Sequence, residues 1–163
     1  MEILKAEEHH IPAIIALAHK TWHETYDRLV PEGQVQYMID TIYQPDLLLE
    51  QFNNPAHHVY VLIEDQEILG YAHCIEQEQS MKLSKLYVRT HLQKKGVGTA
   101  LLEFVESQLP HWGSRTLELC VNRGNPAQFF YEKMGFQIVK EVDIPFGPYW
   151  MNDYLMRKQV DEK

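Results

Sequence analysis

Cysteine is scarce in this chain: Cys74 and Cys120 are the only two among 163 residues, and they stand in no metal-binding or redox spacing. Both fall in apolar, strand-like stretches, so they are expected to be buried, reduced thiols of a cytoplasmic protein. Long apolar runs are missing as well. No window approaches 18 apolar residues and no charged-then-apolar signal opens the chain, which argues against a membrane partner. Positive charge is short: 15 Lys and Arg against 23 Asp and Glu leave a formal charge of −8, which argues against nucleic acid and is compatible with a cationic substrate. There is no linker, repeat or low-complexity tract, so residues 1–163 are expected to fold as one domain. An apolar share of 45% is enough for that domain to hold a substantial core.

What is present is an alternation of strand and helix patterns. Residues 2–6 read as a strand. Residues 8–26 follow as a helix with Ile11, Ile14, Ile15, Ala18 and Trp22 on one stripe. Helices are expected at 34–43 and 45–52, and strands at 59–64 and 68–75 with a turn between them. A long strand begins at Met81, with Leu83, Lys85 and Tyr87 alternating against Ser84, Leu86 and Val88. After it come a helix from Gly98, a strand at 116–121, a helix at 125–134, and strands at 137–142 and 151–157. The segment 144–150, rich in Pro and aromatics, reads as a rigid loop before the last strand, walling an acceptor site or facing a partner subunit. This order makes a mixed α/β or α+β fold on a single sheet.

Chemistry enters where the long strand stops. Gln93-Lys94-Lys95-Gly96-Val97-Gly98-Thr99 joins strand to helix through two glycines and two lysines. Glycine lets the backbone approach a ligand closely and aim successive N–H groups at one point, and the helix N-terminus adds roughly half a positive charge. Such a turn suits a pyrophosphate. No Gly-Lys-Ser/Thr closes it, so it is not a P-loop, and Leu101 stands where a dinucleotide fingerprint needs a small residue. Further on, Asn125-Pro-Ala-Gln-Phe-Phe130-Tyr131-Glu-Lys-Met-Gly135-Phe136 reads as a short helix, with Asn125 as N-cap, Pro126 in the first turn and Gly135 as a left-handed stop.

Together these two stretches resemble the GNAT family of N-acetyltransferases, the first its Arg/Gln-x-x-Gly-x-Gly/Ala acetyl-CoA loop and the second its last helix. The resemblance is strongest over residues 59–136. It implies a mixed, mostly antiparallel seven-stranded sheet, splayed beside the glycine loop and flanked by four to five helices. It implies acetyl-CoA as cosubstrate, with no metal. Gln93, Lys94, Lys95, Gly96, Val97, Gly98 and Thr99 would then hold the phosphates, and Leu86, Tyr87 and Val88 would pair with the pantetheine arm. Asn125, Phe129 and Lys133 would also contact the cofactor. Tyr131 matches the family's tyrosine that donates a proton to the departing thiolate.

The acceptor side is less determined. An alkyl amine costs about 1.4 kcal/mol per pH unit below its pKa to deprotonate, so a base is required. Many relatives carry a Glu on the long strand, where this chain has Ser84 and Lys85. His73, Glu24, Glu118, Asp153 and Tyr149 are the candidates left. Trp22, His23 and Tyr26, with His73 and Asp153, are expected to line the acceptor pocket, aromatic walls attracting an ammonium. His19 and His23 stand at i, i+4, but no Glu-x-x-His pattern accompanies them, so no metal is expected; His9-His10 and His57-His58 read as surface pairs. The segments 21–26, 85–88 and 153–156 are similar to bacterial polyamine acetyltransferases, which implies a small primary amine as substrate. A protein N-terminal amine, an aminoglycoside-like amine, a CoA-binding sensor without turnover and a homodimeric assembly stay open.

Overall fold

A computed structural model describes residues 1–93 and 95–160. Seven strands, β1 (Glu2–Lys5), β2 (His57–Glu64), β3 (Glu67–Glu76), β4 (Met81–Val88), β5 (Thr116–Asn122), β6 (Gln137–Phe146) and β7 (Tyr149–Gln159), form one sheet in the order β1-β2-β3-β4-β5-β7-β6. Every neighbouring pair is antiparallel except β4 and β5. A parallel pair needs a long crossover, and helix α4 (Val97–Gln108) supplies it. The other helices are α1 (Ile11–Tyr26), α2 (Gln34–Ile42), α3 (Pro45–Phe52) and α5 (Ala127–Lys133). No helix among the described residues is long and apolar enough to cross a membrane.

Two cores lie on opposite faces of the sheet. On one, Leu101, Leu102, Val105 and Leu109 of α4 and its end meet Leu83, Val88, Leu117, Leu119, Phe136 and Met156. On the other, Ile14, Leu17, Ala18 and Trp22 of α1 join Met38 and Ile39 of α2, Leu48 of α3, and Val61 and Tyr71 of the sheet. Each fully buried leucine contributes roughly 1.5–3 kcal/mol, so α4 is held on β3 and β4 by packing rather than by propensity. The contact is close because residue 70 is glycine. A Cβ there would lie 2.8 Å from the Tyr87 carbonyl oxygen and 3.1 Å from Leu101 Cδ1.

Three expectations from the sequence change here. First, β4 does not alternate evenly. Its register with β3 shifts between His73 and Cys74, with Cys74 opposite Leu83 and His73 opposite Lys85, which leaves Ser84 as an extra, bulged residue. Leu83 therefore faces the α4 core, while Lys85 and Tyr87 turn toward α1–α3. Second, residues 144–150 are not a loop. Ile144, Pro145 and Phe146 end β6, Tyr149 and Trp150 begin β7, and only Gly147 and Pro148 turn between them. Pro145 is tolerated because β6 is the outermost strand, where a missing N–H costs little. The tip rests on α2: Tyr37 packs on Phe146 and Tyr149, and Gln34 Nε2 donates to the Trp150 carbonyl at 2.9 Å.

Third, the histidine and cysteine readings need correction. His10 is buried and its Nδ1 accepts from the Glu7 N–H. His57 and His58 are half-buried: His57 bonds to His73, and His58 stacks on Trp112 and meets Glu76 at 2.9 Å. His9 is exposed as expected, whereas His57 and His58 are covered by cross-strand partners on β3 and an indole. Cys74 is buried, but Cys120 is only half-buried.

Candidate active site

The parallel pairing of β4 and β5 covers only Met81↔Leu117 and Lys82↔Glu118. Beyond that the strands diverge, so from Leu83 onward β4 has a backbone edge without a β5 neighbour. Leu86, Tyr87 and Val88 lie on that edge. An edge of unpaired N–H and C=O groups accepts an added extended chain.

At the far end of β4 the chain turns into α4. Gly96 holds a left-handed φ of +85° as the residue before the first turn, a conformation glycine adopts without strain. The first turn of α4 leaves its N–H groups without intrahelical acceptors, and it begins at Val97, Gly98 and Thr99. Val97 is buried and anchors that turn in the core. Gln93 Nε2 donates to the Val88 carbonyl at 3.4 Å, so its side chain braces the loop. Lys95 is exposed, and its N–H donates to the Leu92 carbonyl. Lys94 lies outside the described residues.

Across the cleft stands α5. Asn125 is engaged at both ends: Oδ1 accepts from the Ala127 N–H at 2.9 Å, and Nδ2 donates to the Tyr26 hydroxyl at 3.0 Å. One amide proton is left over for a ligand. Lys133 is exposed, and Phe129 is 67% exposed. Tyr131 is 8% exposed, packed edge-on between Phe130 and Phe136 at 5.3 and 5.5 Å. Burial pushes its hydroxyl pKa up, with the Tyr26 hydroxyl adding to the shift, so it stays protonated at any physiological pH. Among the described residues it has no hydrogen-bond partner, yet its oxygen keeps contact with solvent. A protonated hydroxyl near Tyr87 and Tyr26 is what remains.

The side of the sheet toward α1–α3 carries further polar groups. Trp22 packs with Tyr26, Tyr43 and Tyr87 at ring distances of 5.4, 6.0 and 5.8 Å. Its indole N–H faces the Tyr43 and Tyr87 hydroxyls without a well-formed hydrogen bond to either. Burial raises the Tyr26 hydroxyl to about 12, offset in part by the bond from Asn125. Asp153, on β7 opposite Asn122, is 4% exposed and accepts no hydrogen bond at its carboxylate among the described residues. Burial raises it to about 6, against the attraction of Arg123 and Lys82.

The structure separates the remaining acceptor candidates. His73 is 1% exposed on β3, its Nε2 lies 2.8 Å from His57 Nδ1, and burial with Lys85 nearby lowers it to about 3. A pKa that low makes it a weak proton acceptor, and its Nε2 is already engaged by His57. His23 points elsewhere, bonded to Asp27 and Gln36 at the rim of a cavity of about 350 Å³ between α1 and α2. That cavity takes none of Tyr87, Tyr131 or Asp153 into its lining. Glu24 bonds to Thr90, and Glu118 is paired with Arg157 at 2.7 Å. No group of three or more metal-ligating side chains occurs among the described residues.

Sequence reasoning missed Lys85. It is 8% exposed, and its Nζ sits 4.5 Å over the Tyr43 ring with no carboxylate partner among the described residues. Burial, helped by Lys82, lowers it to about 8. A lysine alternating with Leu83 and Tyr87 was the available signal. Holding it charged at neutral pH costs about 3 kcal/mol, since one pKa unit is about 1.4 kcal/mol. A lowered folded-state pKa means stability rises as pH climbs from about 8 toward 10.5, where the unfolded chain still binds the proton. Lys85→Met is therefore expected to be more stable than wild type at pH 7 in urea unfolding, with the difference shrinking by pH 10. A variant equally destabilised at both pH values would contradict this.

Residues 15–147 match the family model described as the acetyltransferase (GNAT) domain. An N-acetyltransferase from the pepI 3′ region of Lactobacillus delbrueckii subsp. lactis is 26% identical, over 98% of each chain. The spermidine N(1)-acetyltransferase of Thermoplasma acidophilum is 24% identical, over 99% of this chain and 98% of its own. Among solved structures, the PaiA N-acetyltransferase of the same organism, in complex with coenzyme A, superposes with a TM-score of 0.86 over 98% of both chains at 24% identity. With the diverging strands, the glycine turn and the Tyr131 helix already in place, the match over residues 15–147 settles the assignment: this chain belongs to the acetyltransferase (GNAT) domain family.

Proposed function

We propose that residues 1–163 act as one catalytic domain that moves the acetyl group of acetyl-CoA onto a primary amine by direct attack, the acceptor being a small polyamine-like molecule. The observation that carries this is the Tyr131 hydroxyl, buried and without a hydrogen-bond partner among the described residues, beside Tyr87 on the β4 edge that β5 leaves open. The residues present fit the cosubstrate. The β4 edge at Leu86, Tyr87 and Val88 pairs with an extended pantetheine arm. The N–H groups of Val97, Gly98 and Thr99 would meet the pyrophosphate, with Lys95 available to the outer phosphates. Phe129 and Lys133 cover the nucleotide end, and the spare amide proton of Asn125 meets the arm.

The bound thioester supplies an activated acetyl carbon. Tyr131 supplies the proton that the thiolate needs as it leaves. Trp22 and Tyr26 wall the acceptor side, where an aromatic face attracts an ammonium by about 0.5–2 kcal/mol. Two free cysteines, one of them buried, suit a reducing compartment, and we place the reaction in the cytoplasm.

A second reading has its own observation. Lys82 and Lys85 bring positive charge to the face where a polyamine would lie, and Lys85 has no anionic partner among the described residues. That favours an acceptor whose amine sits near a carbonyl or carboxylate, such as a peptide N-terminus. Thiol release from acetyl-CoA with polyamines, amino-terminal peptides and aminoglycosides tests both readings. Release with spermidine or putrescine supports the first and release with peptides alone the second. Coenzyme A binding without release for any amine would replace both with a sensor.

A further inference from the structure

The structure assigns Asp153 as the proton acceptor for the attacking amine. This rests on the acetyl-transfer reading above and deepens it. The family's strand glutamate is absent, with Ser84 and Lys85 in its place, so deprotonation must use another group. Glu24 and Glu118 are spoken for by Thr90 and Arg157, His73 is weakly basic and bonded to His57, and Tyr149 packs on Tyr37 at the hairpin tip. Asp153 alone of these candidates is more than nine-tenths buried, unpartnered at its carboxylate, and still in contact with solvent.

Its place in the sheet connects it to the cleft. Asp153 pairs with Asn122, the last residue of β5, and its main-chain oxygen accepts from Arg123 Nη1 at 3.0 Å. Three residues after Asn122, Asn125 holds the Tyr26 hydroxyl, and the charge on Asp153 is felt at that hydroxyl. Tyr26 in turn is close enough to Tyr131 to influence it. Asp153 on β7 and Tyr131 on α5 thus both neighbour the Tyr26 hydroxyl. The charged and titratable groups facing it are Arg123 before α5, Lys82 on β4, Cys120 on β5 and Tyr26 on α1. With a pKa of about 6 it is ionised at neutral pH and basic enough to hold a proton in transit.

The proton accounting closes. An ammonium gives one proton to Asp153, directly or through one water, and the freed nitrogen pair attacks the thioester carbonyl carbon. The C–N bond forms and the C–S bond breaks. Tyr131 protonates the sulfur, and the second proton lost by the nitrogen restores Tyr131. Asp153 then passes its proton to solvent.

The pH dependence of kcat/KM for the best amine distinguishes a base from an anchor. Wild type should run flat from about pH 7 to 9, because the enzyme itself takes the proton. In Asp153→Asn, kcat/KM should fall at least tenfold at pH 7.5 and then climb with pH as solution supplies the neutral amine, while KM for acetyl-CoA is unchanged. Asp153→Glu should restore the flat profile. An Asn variant within threefold of wild type, or one that raises only the amine KM and keeps the flat profile, overturns the assignment. Wild-type turnover in the same assay separates that result from a failure of the acetyl-transfer reading. Removing a buried charge does not threaten the fold, and an unchanged melting curve for the Asn variant checks this.

Discussion

Tyr131→Phe is expected to lower kcat by about a hundredfold to a thousandfold while leaving the affinity for acetyl-CoA within threefold of wild type. The magnitude is that of a positioned general acid. The change removes one oxygen and keeps the ring between Phe130 and Phe136, so packing is conserved. It also removes a hydroxyl that has no protein partner, so no buried donor or acceptor is orphaned and the variant should melt no lower than wild type. The loss should appear in kcat rather than in KM, because the proton is needed only as the C–S bond breaks. Steady-state kinetics with calorimetric titration of acetyl-CoA measures both quantities. Unchanged turnover would remove Tyr131 from the chemistry.

The second large effect is expected at Gly98. A Cβ at this position would lie 3.6 Å from Phe130 Cζ, an ordinary contact, and no left-handed conformation is required there. Gly98→Ala should therefore bind acetyl-CoA within about threefold of wild type. Gly98→Glu should bind it at least a hundredfold more weakly, a loss of about 2.7 kcal/mol. A carboxylate in the first turn of α4 suits the helix dipole, so the fold is retained or slightly stabilised. The same carboxylate occupies the field that the pyrophosphate is to use and repels it. The pair isolates charge from shape. Equal affinity of the Ala and Glu variants would show that the phosphates do not sit at this helix end.

Much of the fold was legible because its signals were local. The proline at the start of α3, the stripe of α1 and the two-residue turn between β2 and β3 are properties of short windows, and they mark elements within a residue or two of where they occur. The glycine turn before α4 was legible for the same reason, since left-handed Gly96 and the helix start are neighbours in the chain. What the sequence hid was set by distant partners. Ser84 is bulged because of how β4 registers on β3, and that single extra residue sends Lys85 under Tyr43, whereas even alternation would group it with Leu83. The hairpin at 144–150 depends on β7 as a partner and on α2 as a seat. His73 looked like a base until its neighbours appeared: His57 takes its nitrogen, and burial with Lys85 leaves it weakly basic. Asp153 shows the reverse case, a candidate named from the sequence whose burial and nearness to Tyr26 depend on β5 and α1 as partners.

The central claim is that the cleft between β4 and β5 transfers an acetyl group rather than merely holding coenzyme A. The direct measurement mixes the protein with acetyl-CoA and an amine from the panel, then quantifies free thiol and acetylated amine together by mass. The account predicts the two products in equal amounts over many turnovers. Coenzyme A bound in the cleft, with neither product formed for any amine, would contradict it.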